Sequence, residues 1–83
     1  MQRITLRELE GIMRQYVWEG DWQSFEAAPD LAFDALGYDS LAQLETHTRI
    51  RRDYGVVIPE ADLERVLTPR NLVDFVNARI PAA

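Results

Sequence analysis

The sequence contains no cysteine, no lysine and no long apolar run. Without cysteine the chain has no disulfide framework, no thiolate metal site and no cysteine nucleophile, so any thiol chemistry must use a thiol supplied from outside. No run approaches the length needed to span a membrane, and Met1-Gln2-Arg3 is not followed by an apolar signal core. These absences predict a cytoplasmic protein that is not inserted in a membrane.

Positive charge is also scarce in this chain. Nine arginines stand against fourteen acidic residues, which gives a net charge of −5. A protein that binds phosphate backbones needs an excess of basic residues, so the balance argues against nucleic acid as a partner. Acidity favours association with basic patches on other proteins in a salt-sensitive way, although solubility alone explains it equally well.

The length and the apolar pattern fit one small helical domain. Because 83 residues with 47% hydrophobic content bury one modest core, we expect a single monomeric domain over residues 1–83 with no catalysis of its own. Apolar residues at three- and four-residue steps predict an all-α, four-helix bundle with three longer helices, one short helix and a long acidic loop between the first two. The predicted helices are Leu6–Trp18, Ser40–Tyr54, Glu60–Glu64 and a fourth that starts at Pro69, with a helical turn near Ser24–Ala28.

Local chemistry marks several of these boundaries. Thr5-Leu6-Arg7-Glu8 has the pattern of a capping box, and Thr68-Pro69 is a cap followed by proline at the first helical position. Gly55 predicts a left-handed stop to the second helix. Val56-Val57-Ile58 has strand-like composition, but with no second strand to pair with we expect a loop that drops into the core.

The second helix has an apolar arc that we predict to face the core. His47 falls on the same arc, so its imidazole is expected to be partly buried. The apolar members of this predicted inner face are Leu41, Leu44, Ile50 and Tyr54.

Ser40 stands at the start of that helix, directly after Gly37-Tyr38-Asp39. Two interpretations follow from local chemistry. The spacing Ser40-x-x-Gln43 matches a capping box, which makes Ser40 an N-cap, and this is the commoner role for such a serine. Alternatively, a phosphate ester on Ser40 would lie in the favourable field of the helix N-terminus. A hydrolase pair with His47 is excluded, since seven residues of helix separate the two by about 10 Å, far beyond hydrogen-bond reach.

The wider sequence context resembles a known family. Five motifs occur in order and cover nearly the whole chain, and together they resemble an acyl carrier protein. Tyr38, a tyrosine two positions before the serine, makes the chain resemble most the discrete carriers of type II (aromatic) polyketide synthases. The motifs are Asp30-Leu31, the run from Leu36 to Leu41, Glu45, the run from Tyr54 to Pro59, and the run from Thr68 to Leu72.

The resemblance implies a role for several residues. Ser40 would carry 4′-phosphopantetheine, Asp39 could help orient the metal ion during its attachment, and Leu41 would lie beside the arm. Glu45 resembles the acidic docking position of carriers, although an i,i+4 pair with Arg49 is an equally open interpretation. The positions that the resemblance and the helix pattern offer as possible contacts of the acyl chain are Leu44, His47, Arg70 and Asn77. No residue is predicted to bind a resident metal ion or to be catalytic.

The implied function is that of a non-catalytic carrier, which holds a growing polyketide chain as a thioester. Its implied partners are a phosphopantetheinyl transferase, a malonyl transferase, a ketosynthase/chain-length-factor pair, a ketoreductase and cyclases. Arg49, Arg51 and Arg52 depart from the acidic docking face of many fatty-acid carriers. Two alternatives stay open: a fatty-acid or peptidyl carrier, and an unmodified helical interaction module in which Ser40 is only a cap.

Overall fold

The computed structural model describes residues 3–16 and 23–80. Within these ranges the chain is helical and contains no strand. No described helix is both long and apolar enough to cross a lipid bilayer. The predicted all-α architecture, with three longer helices and a short one, is confirmed. The helices are α1 (Leu6–Met13), which continues as a 3₁₀ turn (Arg14–Tyr16), α2 (Ser40–Tyr54), a 3₁₀ helix (Glu60–Arg65) and α3 (Pro69–Arg79).

The first helix changes type before its predicted end. The prediction ran to Trp18, whereas α1 ends as an α-helix at Met13 and tightens into the 3₁₀ turn. Such tightening is a common way to satisfy the last carbonyls of a helix. Val17 and Trp18 lie outside the described residues. At the other end, the Thr5 hydroxyl oxygen accepts a hydrogen bond from the Glu8 backbone N–H at 3.1 Å, which confirms Thr5 as the cap.

Helix α2 buries a different face from the one predicted. Leu41 and Leu44 were assigned to the inner arc, yet they are 66% and 52% exposed. Ile50 is buried and Tyr54 partly buried, as predicted, but the other buried residues are Ala42 and Thr46, which precede Ile50 at four-residue steps. Small side chains at 42 and 46 allow α2 to lie close to the core, and the Thr46 hydroxyl is satisfied by donating to the Ala42 carbonyl at 2.7 Å. The prediction from the most hydrophobic residues alone therefore placed the buried face about one residue position, or roughly 100° around the helix axis, away from where it lies.

The long connection between α1 and α2 is fixed by aromatic packing. Phe25, Phe33 and Tyr38 are fully buried and meet edge to face, with ring centroids 5.5–6.3 Å apart. The Phe33 N–H donates to the Leu67 carbonyl at 2.8 Å, which ties the connection to the segment before α3. The predicted turn at 24–28 is present, because the Ala28 N–H donates to the Ser24 carbonyl at 3.0 Å.

The remaining boundaries agree with their sequence signals. Gly55 ends α2 in the left-handed region (φ 71°), and its N–H donates to the Arg51 carbonyl. The Thr68 side chain accepts from the Asn71 N–H at 3.1 Å, with proline at the first position of α3. Residues 56–58 form a loop without strand pairing, as predicted.

Candidate functional site

Ser40 is the first residue of a 15-residue helix and its side chain is exposed. The helix cap is the residue before it. The Asp39 carboxylate accepts a hydrogen bond from the Ala42 N–H at 2.9 Å, and Asp39 has the extended backbone of an N-cap. The interpretation of Ser40 as the N-cap is therefore wrong, because a carboxylate one residue earlier takes that role.

Gln43 does not complete a capping box with Ser40 either. Its side-chain amide donates backwards, to the Tyr38 carbonyl at 3.0 Å and to the Asp34 carboxylate at 3.1 Å. Within the described residues the Ser40 hydroxyl has no hydrogen-bond partner. It points from the positive end of α2 with its oxygen available for chemistry.

The residues just before Ser40 are held rigidly. Gly37 adopts a left-handed conformation (φ 94°) that favours glycine. The next residue, Tyr38, is 1% exposed, and its N–H donates to the Phe33 carbonyl at 2.9 Å. Burial raises the pKa of the Tyr38 phenol, an effect that the nearby Arg14 guanidinium opposes. The tyrosine that marked the family resemblance is thus a core anchor, which fixes where α2 begins.

Two open grooves run along the sides of α2. One of them has a volume of about 380 Å³ and is called the α1 groove, because Gln15 and Tyr16 of the 3₁₀ turn that continues α1 line one side of it. Asp39, Leu41 and Glu45 are also in its lining. The other has a volume of about 480 Å³ and is called the 3₁₀ groove, because it lies against the 3₁₀ helix Glu60–Arg65. Four of its lining residues are Leu44, His47, Thr48 and Ile58, and the remaining two, Glu60 and Leu63, come from the 3₁₀ helix.

The structure thus separates the predicted site residues into groups. Asp39, Leu41 and Glu45 lie together on the α1 side of Ser40, whereas Leu44 and His47 lie on the opposite side. Sequence reasoning expected a cleft between the second and third helices but named none of the residues of its far wall, which are Ile58, Glu60 and Leu63. The apolar run that ends at Ile58 was the available signal, and it was interpreted only as core.

His47 is half-buried in the wall of the 3₁₀ groove, as its position on the helix predicted. Its Nδ1 atom is shielded from solvent and has no hydrogen-bond partner in the part of the chain that the structure describes. Burial lowers the pKa of the imidazole below its ordinary value, since the charged form loses more hydration than the neutral form.

Neither Arg70 nor Asn77 lines either groove. The Arg70 guanidinium forms a two-point contact with the Asp30 carboxylate, at 2.7 and 3.3 Å. The Asn77 side chain holds the backbone of Ile4 at both ends, accepting from its N–H at 2.8 Å and donating to its carbonyl at 2.9 Å. Both side chains therefore have structural partners, and their contact with an acyl chain stays a prediction.

Glu45 is exposed on the outer face of α2. The alternative pair with Arg49 is not formed, because Arg49 contacts Asp53 at 2.8 Å and also donates to Gln15 at 3.2 Å. Asp53 also contacts Arg52 at 3.2 Å, so it offsets part of the arginine run that follows. Glu45 has no ion pair within residues 3–16 and 23–80. In the same ranges, no three His, Asp or Glu side chains are grouped so that they could hold a metal ion.

Comparison with known proteins identifies the family. Residues 24–76, well over half of the chain, match the family described as the phosphopantetheine attachment site. The anthracycline acyl carrier protein DpsG of Streptomyces peucetius is 45% identical over 100% of this chain and 99% of its own length. The oxytetracycline polyketide synthase acyl carrier protein of Streptomyces rimosus is 42% identical, over 100% and 88%. The hexanoyl acyl carrier protein of the actinorhodin polyketide synthase of Streptomyces coelicolor superposes with a TM-score of 0.78 at 37% identity, covering 94% of this chain and 92% of that one. This chain belongs to the acyl carrier proteins of the phosphopantetheine-attachment family.

Proposed function

We propose that this protein carries a growing polyketide chain as a thioester on a 4′-phosphopantetheine arm attached to Ser40. Acyl carrier proteins are non-catalytic carriers of this covalently bound group. The observation that carries the assignment of Ser40 is its hydroxyl, which is exposed, free of local hydrogen bonds and placed at the N-terminus of α2. Because Asp39 caps the helix, esterification of Ser40 removes no stabilising contact.

The residues around Ser40 fit a phosphate ester. The first turn of α2 has unpaired backbone N–H groups and the positive end of the helix dipole, both favourable to an anionic group. Leu41 leaves an apolar surface beside the attachment point, and Asp39 supplies a carboxylate that could orient a metal ion while a transferase acts. When bound, the arm supplies a terminal thiol whose thioester is a good acyl donor and acidifies the neighbouring carbon.

The grooves beside α2 give this carrier a place to shelter its cargo. We assign the 3₁₀ groove, with Leu44 and His47 in its wall, to the acyl chain, since it is open at the surface and partly apolar. The actinorhodin acyl carrier protein of Streptomyces coelicolor has been solved with a hexanoyl group and with a 5-phenyl-3-oxo-pentyl group, so this relative bears both saturated and oxygenated chains.

The proposed partners are the other components of a polyketide synthase. They comprise a phosphopantetheinyl transferase, a malonyl transferase, a ketosynthase/chain-length-factor pair, a ketoreductase and cyclases. Glu45 is exposed and without an ion pair in the described chain, so it is available to a basic patch on each of them. Sequential visits require weak binding, which small charged contacts on a monomer provide better than a large apolar interface.

The proposal is tested by incubating the protein with coenzyme A, magnesium and a broad-specificity phosphopantetheinyl transferase, followed by intact mass measurement. We expect the wild type to gain one phosphopantetheine and a folded Ser40→Ala variant to gain none. Loading the arm with acetoacetyl, long-chain acyl or aminoacyl groups then separates a polyketide carrier from fatty-acid and peptidyl carriers. A folded, initially unmodified wild type that gains no mass contradicts the proposal and leaves the interaction-module alternative.

A further inference from the structure

His47, which lines the 3₁₀ groove, has a ring nitrogen whose lack of a partner nothing in the described fold explains. His47 Nδ1 is shielded from solvent and unpartnered within residues 3–16 and 23–80. Buried polar atoms in native proteins nearly always have hydrogen-bond partners, because leaving one unpaired costs free energy. Thr46, the neighbouring polar residue on α2, follows this rule, since its hydroxyl donates to the Ala42 carbonyl. His47 is therefore an exception that requires a reason.

His47 also divides two compartments along α2. The 3₁₀ groove begins on the Ser40 side with Leu44, and a smaller pocket of about 220 Å³ lies beyond it, with Arg51 in its wall. His47, Thr48 and Ile58 line both spaces. A chain that leaves Ser40 and follows α2 passes Leu44 first, then His47, and only then Arg51.

We infer that His47 Nδ1 forms a hydrogen bond with a keto or enol oxygen of the chain carried from Ser40, and thereby makes this carrier shelter β-ketoacyl chains better than saturated ones. This inference rests on the proposed function. A saturated chain leaves Nδ1 as unpaired as it is in the unloaded protein. A chain with an oxygen at the right depth supplies the missing partner once the imidazole ring turns its shielded Nδ1 towards the groove, so the contact adds to chain docking only when that oxygen is present.

The protonation state of His47 suits a neutral ligand. Burial lowers the pKa of the imidazole, so the ring is neutral near pH 7 and offers one donor and one acceptor. A β-dicarbonyl offers the complementary pair, a keto oxygen that accepts and an enol hydroxyl that donates. The charged groups lining the adjoining spaces are Glu60 in the 3₁₀ groove and Arg51 in the smaller pocket, one of each sign. Neither makes an anionic or cationic chain the better occupant.

The test compares two chains of equal length, one with a β-keto group and one saturated, each loaded as a thioester onto the holo protein. The quantity measured is protection from hydrolysis, defined as the hydrolysis rate of the same free pantetheine thioester divided by the rate on the carrier. For one hydrogen bond of ordinary strength we expect the β-keto chain to be protected about three- to tenfold more than the saturated chain. Imidazole nitrogen NMR provides a second readout, in which only the β-keto chain shifts the Nδ1 resonance.

Two variants at one position provide the matched controls. His47→Leu removes the polar atom and should abolish the difference between the chains. His47→Asn places an amide near the position of Nδ1 and should retain much of it. Both are checked for folding before loading, and the asparagine variant keeps the comparison informative where leucine disturbs the groove.

The outcomes separate this inference from the proposed function. Loading is verified by mass, so a protein that accepts no arm overturns the proposed function and this inference with it. A loaded protein that protects both chains equally, or keeps its preference in His47→Leu, overturns the inference alone. An Nδ1 shift that the saturated chain also produces would assign the contact to the arm instead of the cargo, and that result too overturns it.

Discussion

Adjacent residues at the start of α2 are predicted to have separable roles, with Asp39 stabilising the fold and Ser40 carrying the arm. The Asp39 carboxylate lies 2.9 Å from the Ala42 N–H, whereas the Ser40 hydroxyl contacts no described hydrogen-bonding group. Asp39→Ala should therefore destabilise the protein while leaving the Ser40 hydroxyl in place. Ser40→Ala should abolish attachment while leaving stability unchanged.

The size of the effect follows from the contacts removed. Loss of an N-cap side chain costs about 0.5–2 kcal/mol. Loss of a negative charge beside a helix N-terminus adds about 0.3–1 kcal/mol. For a domain of this size each kcal/mol lowers the melting temperature by about 4–8 °C, so the combined loss of about 0.8–3 kcal/mol should make Asp39→Ala melt roughly 3–24 °C below the wild type. Ser40→Ala, an exposed change without a lost contact, should stay within about 0.5 kcal/mol.

The assay is urea and thermal unfolding of both variants followed by circular dichroism, beside the mass measurement of arm attachment. Asp39→Asn is the matched control, because it keeps an oxygen acceptor for the Ala42 N–H and loses only the charge. We expect it to fall between the wild type and Asp39→Ala. If Ser40→Ala lost as much stability as Asp39→Ala, the serine would be part of the cap and the separation of roles would be wrong.

Two further predictions concern residues on either side of the core. Asn77→Ala should lower the free energy of unfolding, measured with urea, by about 1–3 kcal/mol, because it leaves the Ile4 N–H and carbonyl unpaired. Asn77→Asp keeps the acceptor for the Ile4 N–H, so it should lower the free energy of unfolding by less than Asn77→Ala does. The second concerns pH. The pKa of His47 is lowered on folding, so the unfolded chain binds a proton near its ordinary value of 6.5 while the folded protein does not. Stability from this group is fully present above pH 6.5 and falls as pH drops towards the folded pKa. His47→Asn should flatten the dependence of unfolding free energy on pH in that range, and an unchanged slope would assign it to other groups.

Most boundaries of the helices were predictable because they depend on local chemistry. The threonine cap at Thr5, the threonine-proline start at Thr68-Pro69 and the glycine stop at Gly55 each satisfy or end a helix through contacts within a few residues. Ser40 was correctly predicted to begin the second helix, but whether it was also the cap was left open, and the cap is the aspartate directly before it. Serine and aspartate are comparable N-caps, so the pattern alone could not decide between them.

The buried face of α2 was not predictable from hydrophobicity, because the helix breaks the usual pattern. Leucines at 41 and 44 are exposed, and alanine and threonine occupy the core at 42 and 46. Only small residues fit where α2 packs closely against the rest of the bundle. Which face of α2 is buried therefore depends on the distance between packed elements and not on local preference. Places where a sequence breaks the local rule are often functional. Here the break lies within six residues of Ser40.

The exposed leucines and the open groove have a common physical consequence. A carrier must hold a chain between visits and release it to each partner, so the chain cannot be bound in a closed cavity that must unfold to open. Leu41 and Leu44 offer apolar contact beside Ser40 without enclosing anything, and the groove beyond them is open to the surface. Because burial there is partial, apolar contact alone discriminates weakly between chains of equal length. A single unpaired nitrogen at His47 would add discrimination by oxygen content at little cost to release, since one hydrogen bond changes an equilibrium by about tenfold and not by many orders of magnitude.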